Sequence, residues 1–216
     1  MLVACWSVKG GAGTTVVAAS LALSLARRTA VGALLADLAG DAPAVLGVPE
    51  PASPGLAGWL RGGDGVPADA LGRIEVEAAQ GLGLLPRGDG DLVPDRGPVL
   101  AALLDRSARP VVVDCGRADT RVAAEVVTRS RRSLLVTRPC YLALRRARYS
   151  PLRPSGVVVV REPGQVLSNA DVEQVVGAPV VTEVACDPAV ARAVDAGLLA
   201  GRMPRSLSRA LADVVA

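Results

Sequence analysis

Short, largely apolar runs recur along this chain with room for one helix between most neighbours, and that pattern limits the fold more than any other feature. The runs are LVACWS (residues 2–7), VGALLAD (31–37), LGLLP (82–86), PVVVD (110–114), SLLVT (133–137), GVVVV (156–160) and PVVTEV (179–184). A strand with one wet face alternates apolar and polar residues. A continuous apolar run belongs to a strand covered on both faces, as in parallel sheets flanked by helices. Helical stretches fall between the runs: directly after Gly13, near PVLAALLDRS (98–107), from about Asp119 to Thr128, from about Leu142, near ADVEQVV (170–176), and twice more at the end. The expectation is an α/β, doubly wound, mostly parallel sheet with helices on both faces, forming one domain over residues 1–216, with its ligand at the carboxyl ends of the strands. Residues 40–80, rich in Gly, Pro and Asp around a short helix at GLAGWL (55–60), predict loops and short helices rather than a second domain.

Composition narrows the function. Half the residues are hydrophobic, Phe is absent, and the aromatics are Trp6, Trp59, Tyr141 and Tyr149, so the core must be built from Val, Leu and Ala. The absence of histidine excludes His-based triads and His-ligated metals. Cys5, Cys115, Cys140 and Cys186 show no C-x-x-C spacing and read as buried, reduced thiols. A net charge of +3 is too small to claim a nucleic-acid partner on charge alone. Lys9 is the single lysine among 24 basic residues, which marks it as a place for a slender point charge where a guanidinium fork would not fit. Met1 leads straight into a strand without a basic leader, and no apolar run is long enough to span a bilayer, so the location expected is cytoplasmic.

The segment KGGAGTT, Lys9 to Thr15, lies between the first strand and the first helix. Glycines free consecutive backbone N–H groups to point into one concavity at a helix N-terminus, where the dipole also favours an anion. Gly10, Gly11 and Gly13 supply that freedom. The general phosphate-loop pattern G-x-x-x-x-G-K-[ST] nevertheless fails, because Thr14 stands at its lysine, while Thr15 stands at the magnesium-binding hydroxyl.

KGGAGTT resembles the deviant phosphate loop of the ParA/MinD family, K-G-G-x-G-K-[ST], in which an extra signature lysine opens the loop. Further resemblances are ALLADLAGD to the family's strand ending in D-x-D, PVVVDCG to its second acidic strand, LGLLPRG to its "gl.llP" strand, and the stretch from SLLVTRP onward to its C-terminal half. The resemblance implies ATP or ADP with Mg2+ bound by Lys9, Gly10, Gly11, Ala12, Gly13, Thr14 and Thr15. It also implies a homodimer in which Lys9 reaches the partner's nucleotide, magnesium held at Thr15 and through water by Asp37 and Asp114, and catalytic roles for Lys9 and Asp37. Arg138, just after SLLVT, is a further candidate for nucleotide contact. Several positions depart from the pattern: Ala39 replaces the second acid of D-x-D, with Asp41 as a possible substitute, Cys115-Gly116-Arg117 replaces the T-P-P-type switch, and Val160 followed by Arg161 stands where the family has its base-reading asparagine.

Magnitudes separate binding from catalysis. A charge-assisted hydrogen bond is worth about 1.5–3 kcal/mol, so Thr14 weakens nucleotide binding by roughly ten- to a hundredfold without abolishing it. Losing one donor aimed at developing charge costs on the order of 10²–10³ in rate, and the water-positioning acid is missing as well. The reading is therefore a dimeric switch or scaffold, with weak or absent hydrolysis, that positions a partner such as pilus or secretion machinery. Retention of Lys9 without the loop lysine resembles the TadZ/CpaE-type branch. The alternatives are an active ParA-type ATPase that partitions DNA, a degenerate loop that binds nothing, and a P-loop kinase or synthetase, the last disfavoured by Lys9. The arginines of RSRR (129–132) and RRARYSPLR (145–153) read as a solvated face in preference to a DNA surface, and the final amphipathic helix as packed on the sheet in preference to a membrane anchor. Trp6, at the mouth of the loop, reads as a packing residue.

Overall fold

The computed structural model describes residues 1–63, 67 and 69–214. Each aliphatic run forms a strand. In chain order the elements are β1 (Leu2–Trp6), α1 (Thr14–Arg28), β2 (Ala33–Asp37), α2 (Ala42–Leu46), α3 (Gly55–Arg61), α4 (Ala70–Arg73), β3 (Val76–Ala79), β4 (Leu82–Leu85), α5 (Gly97–Asp105), β5 (Val111–Asp114), α6 (Arg121–Arg129), β6 (Arg132–Thr137), α7 (Tyr141–Tyr149), β7 (Gly156–Arg161), α8 (Asn169–Val176), β8 (Val180–Ala185), α9 (Pro188–Asp195) and α10 (Arg205–Leu211). The strands form one sheet in the order β3-β4-β2-β5-β1-β6-β7-β8. All neighbours are parallel except β3, which pairs antiparallel with β4 at the edge. β3 is the strand that the sequence does not announce. VEAA is too short and too polar to read as a run, and it forms because Gly81 turns the chain back at φ 74 to pair it with β4.

Alternate residues of each inner strand feed opposite layers, and both layers are apolar. Val3 and Cys5 of β1, Leu35 of β2 and Val112 of β5 pack against α1 and α10. Leu2, Ala4 and Trp6, Leu34, and Val111 and Val113 face the layer of α3, α5 and α6. Small residues let α1 lie close to the sheet, with Ala18, Ala19, Ser20 and Ala22 all fully buried. Trp6 is 1% exposed, and its indole N–H donates to Ser133 Oγ at 2.9 Å, so it is a core residue that ties β1 to β6. Leu207, Leu211 and Val214 are buried against α1, which is the packed arrangement expected of the C-terminal helix. Residues 215 and 216 of that segment lie outside the described residues, as do 64–66 and 68 of the loop-rich region. Among the described residues no helix is long and apolar enough to cross a membrane.

The end of α9 is locked to the end of α2 by two glycines. A Cβ on Gly47 (φ 74) would lie 1.7 Å from the carbonyl oxygen of Gly197, so this approach tolerates no side chain. Gly164 has a similar φ of 83 but open space around it. Gly164→Ala should therefore lose only the roughly 1–2 kcal/mol of left-handed strain, whereas Gly47→Ala should lose clearly more and lower the melting temperature further. Equal losses in thermal denaturation would contradict the close approach.

Candidate functional site

Between Trp6 and Thr14 the chain must leave a central strand and enter a helix. It does so through Gly11 (φ 72) and Gly13 (φ 88), both in the left-handed region that favours glycine. Gly13 caps α1 with no side-chain hydrogen bond, and its carbonyl accepts from Val17 N at 3.0 Å. The amides of Thr14, Thr15 and Val16 thus stay available at the positive end of a 15-residue helix. They open onto a cavity of about 1070 Å³ at the carboxyl edge of the sheet. Its walls are Gly10 to Thr15, Ala39 and Asp41 after β2, Arg87 after β4, Gly116, Arg117 and Asp119 after β5, and Val194 to Gly197 at the end of α9.

The structure brings Gly10, Gly11, Ala12, Gly13, Thr14 and Thr15 together on this wall. Lys9 sits elsewhere: it lines a crevice with Val136, Thr137, Arg138 and Ala143, and makes no ion pair among the described residues. Arg138 lines the same crevice and also the apolar cleft beside the loop, outside the large cavity, and pairs with Glu162 at 2.5 Å. A second, apolar cleft of about 170 Å³ adjoins the loop at Gly13 and Val16, and is walled by Val160, Val184 and Val190. The guanidinium of Arg161 is taken by Glu183, the Leu167 carbonyl and Asn169.

Asp37 and Asp114 are register partners at the ends of β2 and β5, and both are 0% exposed. Asp37 accepts three backbone bonds, from Ala39 N (2.9 Å) and Gly40 N (2.7 Å) at Oδ1 and from Ala42 N (3.0 Å) at Oδ2. Burial raises its pKa above the usual carboxylate range, the amides of Gly40, Ala42 and Ala39 oppose that rise, and Asp41 adds to it. Asp114 Oδ1 accepts from Gly116 N at 3.0 Å, while its Oδ2 is buried with no hydrogen-bond partner. Burial pushes the Asp114 carboxyl up to about 7; the nearby Thr15 hydroxyl lowers it and Asp37 raises it. The Thr15 hydroxyl is near but makes no well-formed hydrogen bond to Oδ2. An orphaned carboxylate oxygen beside a hydroxyl on the cavity wall fits a magnesium ion, which keeps several of its waters and needs few protein ligands. Among the described residues no group of three or more His, Cys, Asp or Glu side chains forms a metal cage.

The sequence reading missed Ser7 and Arg87, and it met Arg117 only as a departure from a pattern. Ser7 donates from both N and Oγ to the Gly116 carbonyl, at 2.8 and 3.1 Å, joining the glycine loop to the loop after β5. Arg87 donates to the carbonyls of Leu38 (2.8 Å) and Gly90 (3.1 Å). Arg87 and Arg117 lie two and three residues beyond the ends of β4 and β5 on the ligand-bearing edge, a weak signal that could have found them.

The raised Asp114 carboxyl sets a sign for the metal-free protein. The folded state holds its proton up to about 7, whereas the ordinary value is 3.8. Between those values the folded state binds the extra proton, so stability is greatest at the acid end and falls as pH rises through the window, by about 4 kcal/mol at the upper limit. Asp114→Asn should remove that loss, melting above wild type near pH 8 and close to it near pH 4.5, each pH approximate to the window's ends. Identical pH slopes for the two proteins in thermal melts would refute the assignment.

No family model matches the sequence, and a search of curated proteins finds no match. Solved structures do match. A ParA family ATPase from Chlorobium tepidum superposes with a TM-score of 0.82 at 21% identity, covering 98% of this chain and 96% of that one. The cell division ATPase MinD of Pyrococcus furiosus gives 0.79 at 23%, covering 98% and 94%. The septum site-determining protein MinD of Pyrococcus horikoshii, complexed with Mg-ADP, gives 0.77 at 20%, covering 98% and 92%. At these identities the likeness speaks to architecture: the chain has the P-loop fold of the ParA/MinD ATPases.

Proposed function

We propose that this protein is a nucleotide-dependent switch or scaffold that binds ATP or ADP with Mg2+ at residues 10–15, hydrolyses slowly or not at all, and positions a partner as a homodimer. The observation that carries the reading is the uncapped, glycine-bordered N-terminus of α1 opening onto the 1070 Å³ cavity. Backbone amides there would hold the polyphosphate, and the adjoining apolar cleft would take the base. Thr15 and, through water, Asp114 would hold magnesium, whose charge would offset that of the phosphates. Asp37 has both oxygens engaged by amides, which suits a role in shaping the cavity rim and in a water-mediated outer contact. Weak hydrolysis follows from Thr14 at the lysine position and Ala39 at the second acid.

Lys9 lies outside the cavity that its own loop borders, which supports a role toward a second copy of the chain. Retention of Lys9 without a loop lysine supports a TadZ/CpaE-like role in placing pilus or secretion machinery in the cytoplasm. A ParA-type role on DNA has one observation in its favour: α7 exposes Tyr141 and Tyr149 beside Arg145, Arg146 and Arg148, with no acidic residue on the helix. Retention of duplex DNA that falls steeply with salt, and is lost in Arg145→Ala/Arg146→Ala, would favour that reading.

Calorimetry and sizing test the main proposal together. Wild type should bind Mg-ATP and shift from monomer to dimer on binding it. Lys9→Ala should retain ATP with affinity within a few-fold, on the order of 1 kcal/mol or less, and lose the dimer. A wild type that binds neither ATP nor ADP would sink the proposal. An ATPase rate like those of lysine-bearing relatives, abolished by Asp37→Ala, would reject the weak-hydrolysis part.

A further inference from the structure

The structure assigns to Arg117 the phosphate-binding charge that the glycine loop itself lacks. This rests on the reading that a nucleoside di- or triphosphate occupies the cavity. Thr14 is nearly buried, uncharged and without a side-chain hydrogen bond among the described residues, and Lys9 points to a different crevice. The amides of the loop therefore face the cavity with no side-chain cation of their own. Two arginines reach the same wall, Arg87 and Arg117. Arg87 has both terminal nitrogens occupied by carbonyls, at 2.8 and 3.1 Å, and serves to fasten the loops after β2 and β4.

Arg117 differs in position and in freedom. Its Cδ lies 3.8 Å from where a Cβ on Gly10 would be, so its stem runs over the first glycine of the loop. The residue before it, Gly116, is held to Ser7 by two hydrogen bonds, which couples the backbone of Arg117 to the glycine loop. Gly116 (φ 55) and Ala118 (φ 50) bracket it, and Ala118 is the only described non-glycine residue at positive φ. Left-handed backbone is uphill for a residue with a Cβ, and such strain persists where the surroundings enforce it. Here the kink delivers a guanidinium to the rim of the amide cradle.

Among the described residues the one ion-pair partner of that guanidinium is Asp119, at 2.7 Å, with both side chains more than half exposed. An exposed pair of this kind contributes little and exchanges readily. A polyphosphate offers the planar fork a stronger, two-pronged acceptor of higher charge. Asp119, once released, stays beside Thr120, the N-cap of α6, where a helix dipole favours a carboxylate. Arg117 thus moves from Asp119 to phosphate without leaving an acid stranded in the interior.

Calorimetry with Mg-ATP and Mg-ADP on the whole chain tests this with wild type, Arg117→Ala, Arg117→Lys and the double variant Arg117→Ala/Thr14→Lys. Arg117→Ala should weaken both nucleotides by about ten- to a hundredfold, with Arg117→Lys in between. Placing the lysine at position 14 in the Arg117→Ala background should recover most of the loss, which a misfolded chain would not do. Wild-type affinity in Arg117→Ala overturns the assignment while leaving nucleotide binding at the loop intact, and a double variant as weak as Arg117→Ala also overturns it. A wild type that binds neither nucleotide overturns both readings.

Discussion

Two carboxylates stand side by side where the sheet meets its cavity, and the chemistry of this edge depends on how each is compensated. Neither Asp37 nor Asp114 has an ion pair among the described residues, although both are fully buried. A buried charge is costly unless it is paired or hydrogen-bonded. Asp37 meets that cost with three amides, and in doing so folds residues 38–42 into the rim. Asp114 receives one amide and keeps an orphan oxygen. A lysine at position 14 would have placed a cation on this wall, and Thr14 places none. The chain settles its buried acids with backbone amides and, at Asp114, with a raised pKa in place of an internal cation.

The rim behaves as one unit because three loops touch. Ser7 and Gly116 join the glycine loop to the loop after β5. A Cβ on Gly116 would come within 3.2 Å of the Ala39 side chain, so the loop after β5 also rests on the loop after β2. Small residues at both positions permit this approach. A longer acid at 39 would need the opposing loop to stand further off, so the absence of the second acid and the close packing of the rim are two aspects of one arrangement. What occupies the cavity therefore bears on all three loops at once, and through Thr120 on the start of α6.

Most of the scaffold was legible because buried parallel strands write themselves as apolar runs, and all seven runs became strands within a few residues of their expected ends, the partly exposed edge strand β8 included. β3 was not, since an edge strand of four half-exposed residues is defined by its partner and by Gly81 rather than by its own composition. The glycine loop was legible for a related reason: left-handed backbone at Gly11 and Gly13 demands glycine, so geometry leaves a mark in the sequence. Arg87 and Arg117 left no comparable mark. Their placement depends on contacts with Leu38, Gly90 and Gly10, residues distant in sequence or contributed by backbone alone, and arginine is the default cation of this chain.

That default makes the exception instructive. Arginine suits the cavity wall, where a flat fork meets fixed carbonyls and carboxylates, and both wall cations are arginine. Lys9 occupies a crevice between the glycine loop and β6 whose free volume is only about 10 Å³. Arg138 borders the same crevice from the end of β6, so one cation of each kind lines it. Lys9 is the one basic residue of the chain that is not arginine, and it borders this crevice without lining the large cavity. Thr14 lies on the cavity wall and Lys9 does not, so the two positions meet different surroundings although they stand only five positions apart.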